Sequence, residues 1–215
     1  LLEIKISEQK SFKKVDSQEL IHKYNLVKAK LIGYLGLRDN YDVGSLYSKY
    51  INAIRYYQKG KLDLAESAMT DIIEIEESPY FFEFLAQIYR DKFEFEKSLE
   101  YIEKSINFLS IRDPKIEMLY ADILINIGDT KSILKGIDIL ESSPINTIMR
   151  PKIHWQLSKA YYEIDNISKA DLNIAKYYSL IGDLDSAKRF SERAKQGLQY
   201  SSPDWFAADD IQNIN

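Results

Sequence analysis

No cysteine occurs among the 215 residues, so the chain can form no disulfide and carries no thiol nucleophile or thiolate ligand. Only two histidines occur, His22 and His154, and neither stands in an HExxH or His-x3-His arrangement. Without cysteine to complete a ligand set, that spacing offers no shared zinc site, and His22 reads as a solvated surface histidine. The 8 glycines are scattered and build no phosphate-cradling loop. With only 8 Gly and 5 Pro there are few helix breakers, and no stretch alternates in the manner of a strand. No apolar run approaches the ~18 residues that a membrane span needs. Basic residues do not exceed acidic ones: the formal charge is -4, which gives no electrostatic footprint for nucleic acid. Carboxylate runs such as Asp71 to Glu77 read as solvated helix faces. Catalysis by this chain is therefore not expected.

What is present is a register. In the stretch from Phe82 to Ser105, Phe82, Leu85, Ala86 and Tyr89 occupy one helical stripe, and Ser98, Ile102 and Ser105 a second. Small residues at 86 and 98 allow two helix backbones to approach, and the large ones fill the space between turns. The same arrangement recurs. Tyr56 has Ala53 three before it and Ala65 nine after; Tyr89 has Ala86 and Ser98; Tyr161 has Ser158 and Ala170; Tyr178 has Ala175 and Ala187. Leu124 has Ala121, but its second small residue, Gly136, arrives three positions late, which predicts a lengthened turn or second helix. The anchors 56, 89, 124 and 161 are spaced near the ~34 residues of the tetratricopeptide repeat, whose pattern of large, small and Tyr positions they resemble. The expected fold is all-α: a right-handed superhelix of antiparallel helix pairs with about four to five repeats.

Taken in order, residues 1–16 read as a linker or the end of a preceding domain. Ser17 caps an opening helix over 17–37, whose stripe Leu20, Tyr24, Val27, Leu31 and Tyr34 or Leu35 is expected to cover the first repeat. Repeats follow over 45–199, at about 45–77, 78–110, 113–143, 150–181 and 168–199. Gly60, Gly128 and Gly182 turn the hairpins, while Pro79 and Pro114 open helices and Pro144 and Pro151 bracket a connection into the fourth repeat. The last two repeats overlap because the helix from 167 to 180 fits two roles, so regularity is expected to fail there. A capping helix over 202–212 closes the chain.

First helices of stacked repeats line one common groove. On them, Tyr50, Tyr57, Gln87, Arg90, Trp155, Lys159 and Tyr162 are the candidate partner-binding residues. Aromatic rings interspersed with cations suit an extended peptide or a partner's helix. Packing between neighbouring repeats is the competing explanation for any one of these rings.

The opening helix ELIHKYNLVKAKLIGYL, the hairpin from Tyr56 to Tyr89, the third turn INIGDTKSILKGIDIL and the segment from Ile153 to Ala194 come in an order that resembles a known arrangement. It is similar to the C-terminal tetratricopeptide-repeat domain of bacterial periplasmic HExxH zinc metalloproteases of the prenyl-protease-like gluzincin class, over about Gln18 to Ile211. The resemblance implies a periplasmic, non-catalytic module that recruits substrate for outer-membrane protein quality control. Its partners would be the parent's own protease domain and outer-membrane proteins or their assembly machinery. Zinc would belong to that protease domain only, since no catalytic motif stands in this chain, which reads as a fragment of something larger. A free-standing repeat adaptor with no attached enzyme is the alternative.

Overall fold

Helix starts follow the capping chemistry written in the sequence. Ser17, Ser45, Asp113, Asp129, Asn166, Asp183 and Ser202 each accept a backbone N–H from the first turn of the helix that follows. Pro79, Pro114 and Pro203 open theirs, where a missing N–H costs nothing. The computed structural model describes residues 17–143 and 150–214, and among them there are eleven helices and no strand. The helices pack as sequential antiparallel pairs. Residues 1–16 and Pro144, to which a linker and one end of a connection were assigned, lie outside the described residues, while Pro151, assigned to its other end, already stands in the first turn of the helix Arg150–Glu163. The chain divides into two compact units, one ending at Glu76 and the other beginning at Glu77.

The first unit comprises α1 (Gln18–Leu35), α2 (Leu46–Gln58) and α3 (Leu62–Ile75). Helix α1 does not pack as its largest stripe predicts. Leu26, Ala29, Ile32 and Gly33 are buried, and a Cβ on Gly33 would come within 2.8 Å of Ile54 on α2. Leu20, Tyr24, Val27, Leu31 and Leu35, the expected cover, are 53–66% exposed. The close approach of the Ile54 side chain to the α1 backbone at Gly33 decides this, because only the face with small residues admits it. His22 is also not a simply solvated side chain: its ring bonds the Tyr47 hydroxyl at 2.9 Å and Glu76 at 2.8 Å, tying α1 to both helices of the next pair.

The second unit contains α4 (Pro79–Asp91), α5 (Phe95–Phe108), α6 (Pro114–Ile127), α7 (Thr130–Ser142), α8 (Arg150–Glu163), α9 (Ile167–Ile181), α10 (Leu184–Gly197) and α11 (Pro203–Gln212). The predicted small residues do bring helices together: Ala86, Ala121, Ser158 and Ala175 are buried, as is Ala53 in the first unit. Ser98 lies against Ala86 and donates its hydroxyl to the Ala86 carbonyl at 2.7 Å. The late Gly136 does not lengthen its hairpin. Helix α7 starts directly after Gly128 and Asp129 and has 13 residues; a Cβ on Gly136 would lie 3.1 Å from the Ala121 carbonyl. The point of close approach has moved one turn along α7 instead. Helix α9 serves two neighbours at once. Ala170 joins the core shared with α6, α7 and α8, while Leu172 and Ala175 join the one shared with α10 and α11.

Candidate partner-binding cleft

Each hairpin turn carries one residue in the left-handed region, where a Cβ crowds the following carbonyl. Glycine holds it at Gly60, Gly128 and Gly182, with φ of 68°, 86° and 85°. Phe93 and Asp165 hold it at 61° and 57°. Asp tolerates this conformation through its short polar side chain, but an aromatic does not, and the cost is of order 1–2 kcal/mol. The strained Phe93 side chain is 79% exposed, so no core packing offsets that cost.

Phe93 forms one wall of a cleft of about 360 Å³ in the second unit, with Phe95 edge-on to it at 6.1 Å. The other walls are first helices standing in series: Arg90 and Asp91 from α4, Asp122 and Asn126 from α6, and Lys159 from α8. The Arg90 guanidinium donates to Asp91 at 2.7–2.8 Å and to Asp122 at 3.2 Å, which fixes it against the wall and neutralises it. Asn126 is anchored through its amide to the Asp122 carbonyl at 2.6 Å. Lys159 is exposed and makes no ion pair among the described residues, so it is the cation available to a ligand. One aromatic wall, a fixed polar floor and an open ammonium can hold an extended chain through apolar contact and charge-assisted hydrogen bonds together.

The sequence-predicted residues divide. Arg90 and Lys159 meet in the cleft, and Gln87 lies half-buried one turn earlier on α4. Tyr162 is exposed on α8 but does not line it, and Trp155 is half turned into a seam, its ring 5.3 Å from Tyr177 of α9. In the first unit Tyr57 is half-buried. Tyr50 is 1% exposed, so its ring is a core element of α2 and offers no surface. Phe93, Phe95, Asp91 and Asn126 were missed. The available signal was Phe93 itself, standing where the preceding hairpin has Gly60.

A second, smaller cavity of about 180 Å³ lies between α7, α8, α9 and α11, lined in part by His154, Tyr161, Lys169 and Lys176. Here polar groups serve packing. Tyr161 donates to Glu141 at 2.6 Å, and His154 Nδ1 bonds the Asn173 side-chain oxygen at 2.9 Å. Burial holds the His154 imidazole below its ordinary range and depresses the Lys176 ammonium in the same way.

Among the described residues no three His, Asp or Glu side chains gather into a group able to hold a metal, and no helix is long and apolar enough to cross a membrane. A tetratricopeptide repeat family model matches residues 81–108, which is the α4–α5 hairpin carrying Phe93 and Arg90. The stacked helix pairs are consistent with a solenoid of that repeat, and repeats of this kind are protein-interaction modules. No curated protein sequence matches the chain.

Proposed function

We propose that the second unit binds an extended segment of a partner protein in the cleft between α4, α6 and α8, and does no chemistry on it. The observation that carries this is Phe93: an aromatic held exposed, in a conformation that glycine takes at the preceding turn, beside an accessible Lys159. Strain kept at an exposed position is accounted for when the residue meets a ligand. The partner would place an apolar or aromatic side chain against Phe93 and Phe95 and a carboxylate or carbonyl on Lys159.

The resemblance to the repeat domains of periplasmic zinc metalloproteases supports a finer form of this reading. In it the segment belongs to an unfolded outer-membrane protein or its assembly machinery, and the module recruits it for a zinc protease. A reading frame that continues upstream of Leu1 into an HExxH helix is the expected outcome; its absence leaves a free-standing adaptor.

The binding test is a titration with a urea-unfolded, labelled outer-membrane barrel protein, followed by fluorescence anisotropy. Phe93→Ala and Lys159→Glu should each weaken binding by roughly tenfold, as for interface residues whose truncation costs ~1–2 kcal/mol. Unchanged affinity in both variants, with helix content intact by circular dichroism, removes the cleft from the function.

A further inference from the structure

Lys176 is a half-buried cation that packing leaves without a partner. It stands on α9 and lines the cavity of about 180 Å³ between α7, α8, α9 and α11. Among the described residues it makes no hydrogen bond and no ion pair. Its polar neighbours are engaged elsewhere. Glu141 accepts from Tyr161 at 2.6 Å, and Asp204 lies 3.8 Å from the Lys169 ammonium. Asn173 accepts from His154 Nδ1 at 2.9 Å and donates to the Lys169 carbonyl at 2.9 Å. Burial disfavours the charge on Lys176; Asp204 and Glu141 offset this from a distance, and the Lys169 charge opposes them. A cation taken out of water is ordinarily paired, and this one is not.

The remaining lining residues are apolar: Leu140, Ile153, Leu157 and Leu172, none more than 4% exposed. An unpaired ammonium beside an apolar lining selects its ligand. A carboxylate supplies the counter-charge that the fold withholds, and a hydrocarbon body covers the Leu and Ile side chains. Glu141 and Asp204 would repel a second carboxylate, so one charge fits better than two. The cavity is smaller than the ~300–1,000 Å³ of sites that enclose drug-sized ligands, which limits the body to about one ring or a short branched chain. We propose that this cavity binds a small monocarboxylate with a compact apolar body, the carboxylate on Lys176 and the body against Ile153 and Leu157. The site shares no lining residue with the cleft between α4, α6 and α8, and neither reading depends on the other.

The test uses the full chain with Ile and Leu methyl groups labelled with ¹³C, titrated with sodium benzoate at neutral pH. The Ile153 and Leu157 methyl signals should shift and saturate with a Kd of ~1 mM or below. Benzamide has nearly the same shape without the charge and should bind at least ~10-fold more weakly, the loss expected for one charge-assisted hydrogen bond. Benzoate should weaken by the same factor on Lys176→Met, which keeps the length of the side chain and whose helix content circular dichroism checks. The benzamide comparison needs no variant. Equal affinity for benzoate and benzamide, unchanged benzoate affinity in Lys176→Met, or no methyl shift at ~10 mM benzoate overturns the proposal. An acetylated pentapeptide ending in Leu with a free carboxylate should bind no tighter than benzoate. Binding ~10-fold tighter would assign the cavity to chain ends and overturn the proposal as well.

Discussion

The hairpins α2–α3 and α4–α5 share one register, offset by 33 residues, and differ in what covers it. Tyr56 of the first corresponds to Tyr89 of the second (56 + 33 = 89), yet Tyr56 is 37% exposed and Tyr89 only 6%. The difference traces to the facing helix. Tyr101 stacks on Tyr89 at 5.5 Å with Lys97 5.2 Å above the ring, while the residue matching Tyr101 on α3 is Ala68. At the small position the first hairpin has Ala65 and the second has Ser98, whose hydroxyl donates to the Ala86 carbonyl of its partner helix. At the turn the first hairpin has Gly60 and the second has Phe93. A repeat position therefore specifies where a side chain stands, and the neighbouring helix decides whether it becomes core or surface.

The largest expected effect separates the two anchors. Tyr89→Ala should cost about 3–5 kcal/mol, by analogy with truncation of a buried Phe, whereas Tyr56→Ala should stay below about 1 kcal/mol. Urea unfolding midpoints of the two variants would show this. Equal losses would break the comparison, and adding an aromatic opposite Tyr56, as Ala68→Tyr, should move the first hairpin toward the second. Close packing on the α1 backbone should be next in size: Gly33→Ala forces the Ile54 side chain to move from a 2.8 Å contact and should cost ~1–3 kcal/mol by overpacking. A thermal midpoint unchanged by Gly33→Ala would show that α1 is not seated on its small-residue face.

The turn should separate stability from binding. Phe93→Gly relieves the left-handed aromatic and should raise stability by ~1–2 kcal/mol while weakening capture of an unfolded chain; Gly60→Phe should lose a similar amount and gain no binding. Differential scanning calorimetry alongside anisotropy measures both. Phe93→Gly that destabilises would mean the ring packs in solution. Ser98→Ala should cost about 0.5–1.5 kcal/mol, the net worth of one internal hydrogen bond.

The smallest effect is a pH slope in the second unit. Burial keeps His154 below its ordinary value of 6.5, so the unfolded chain takes up the proton more readily than the folded one. Its contribution to stability is complete above that value and is lost as pH falls below it toward the depressed folded value. His154→Gln should flatten the decline in thermal midpoint between about pH 7.5 and 5.5. An unaltered slope would assign the decline to groups other than His154.

Much of this protein could be read from spacing and composition. A small residue three before a large anchor, repeated near every 34 positions, requires paired helices, because only a missing side chain lets two backbones approach; Ala53, Ala86 and Ala121 are buried for that reason. Caps and prolines located the helix starts, since Ser, Asp and Asn satisfy N–H groups that no other residue in the turn can reach. Arg90 and Lys159 were legible as groove residues because first helices stack in series. Tyr50 was not separable from them: its helix carries Tyr50 in the core and Tyr57 half-buried, and side-chain identity is blind to which is which. Packing alone settled the rest. Helix α1 bears two apolar faces, and the sequence favours the larger one, but the 2.8 Å room at Gly33 admits only the smaller. The cleft depends on Phe93 in one turn meeting side chains 29 to 66 positions further along, from Asp122 to Lys159. That contact has no local signature, because it is made when the helices stack.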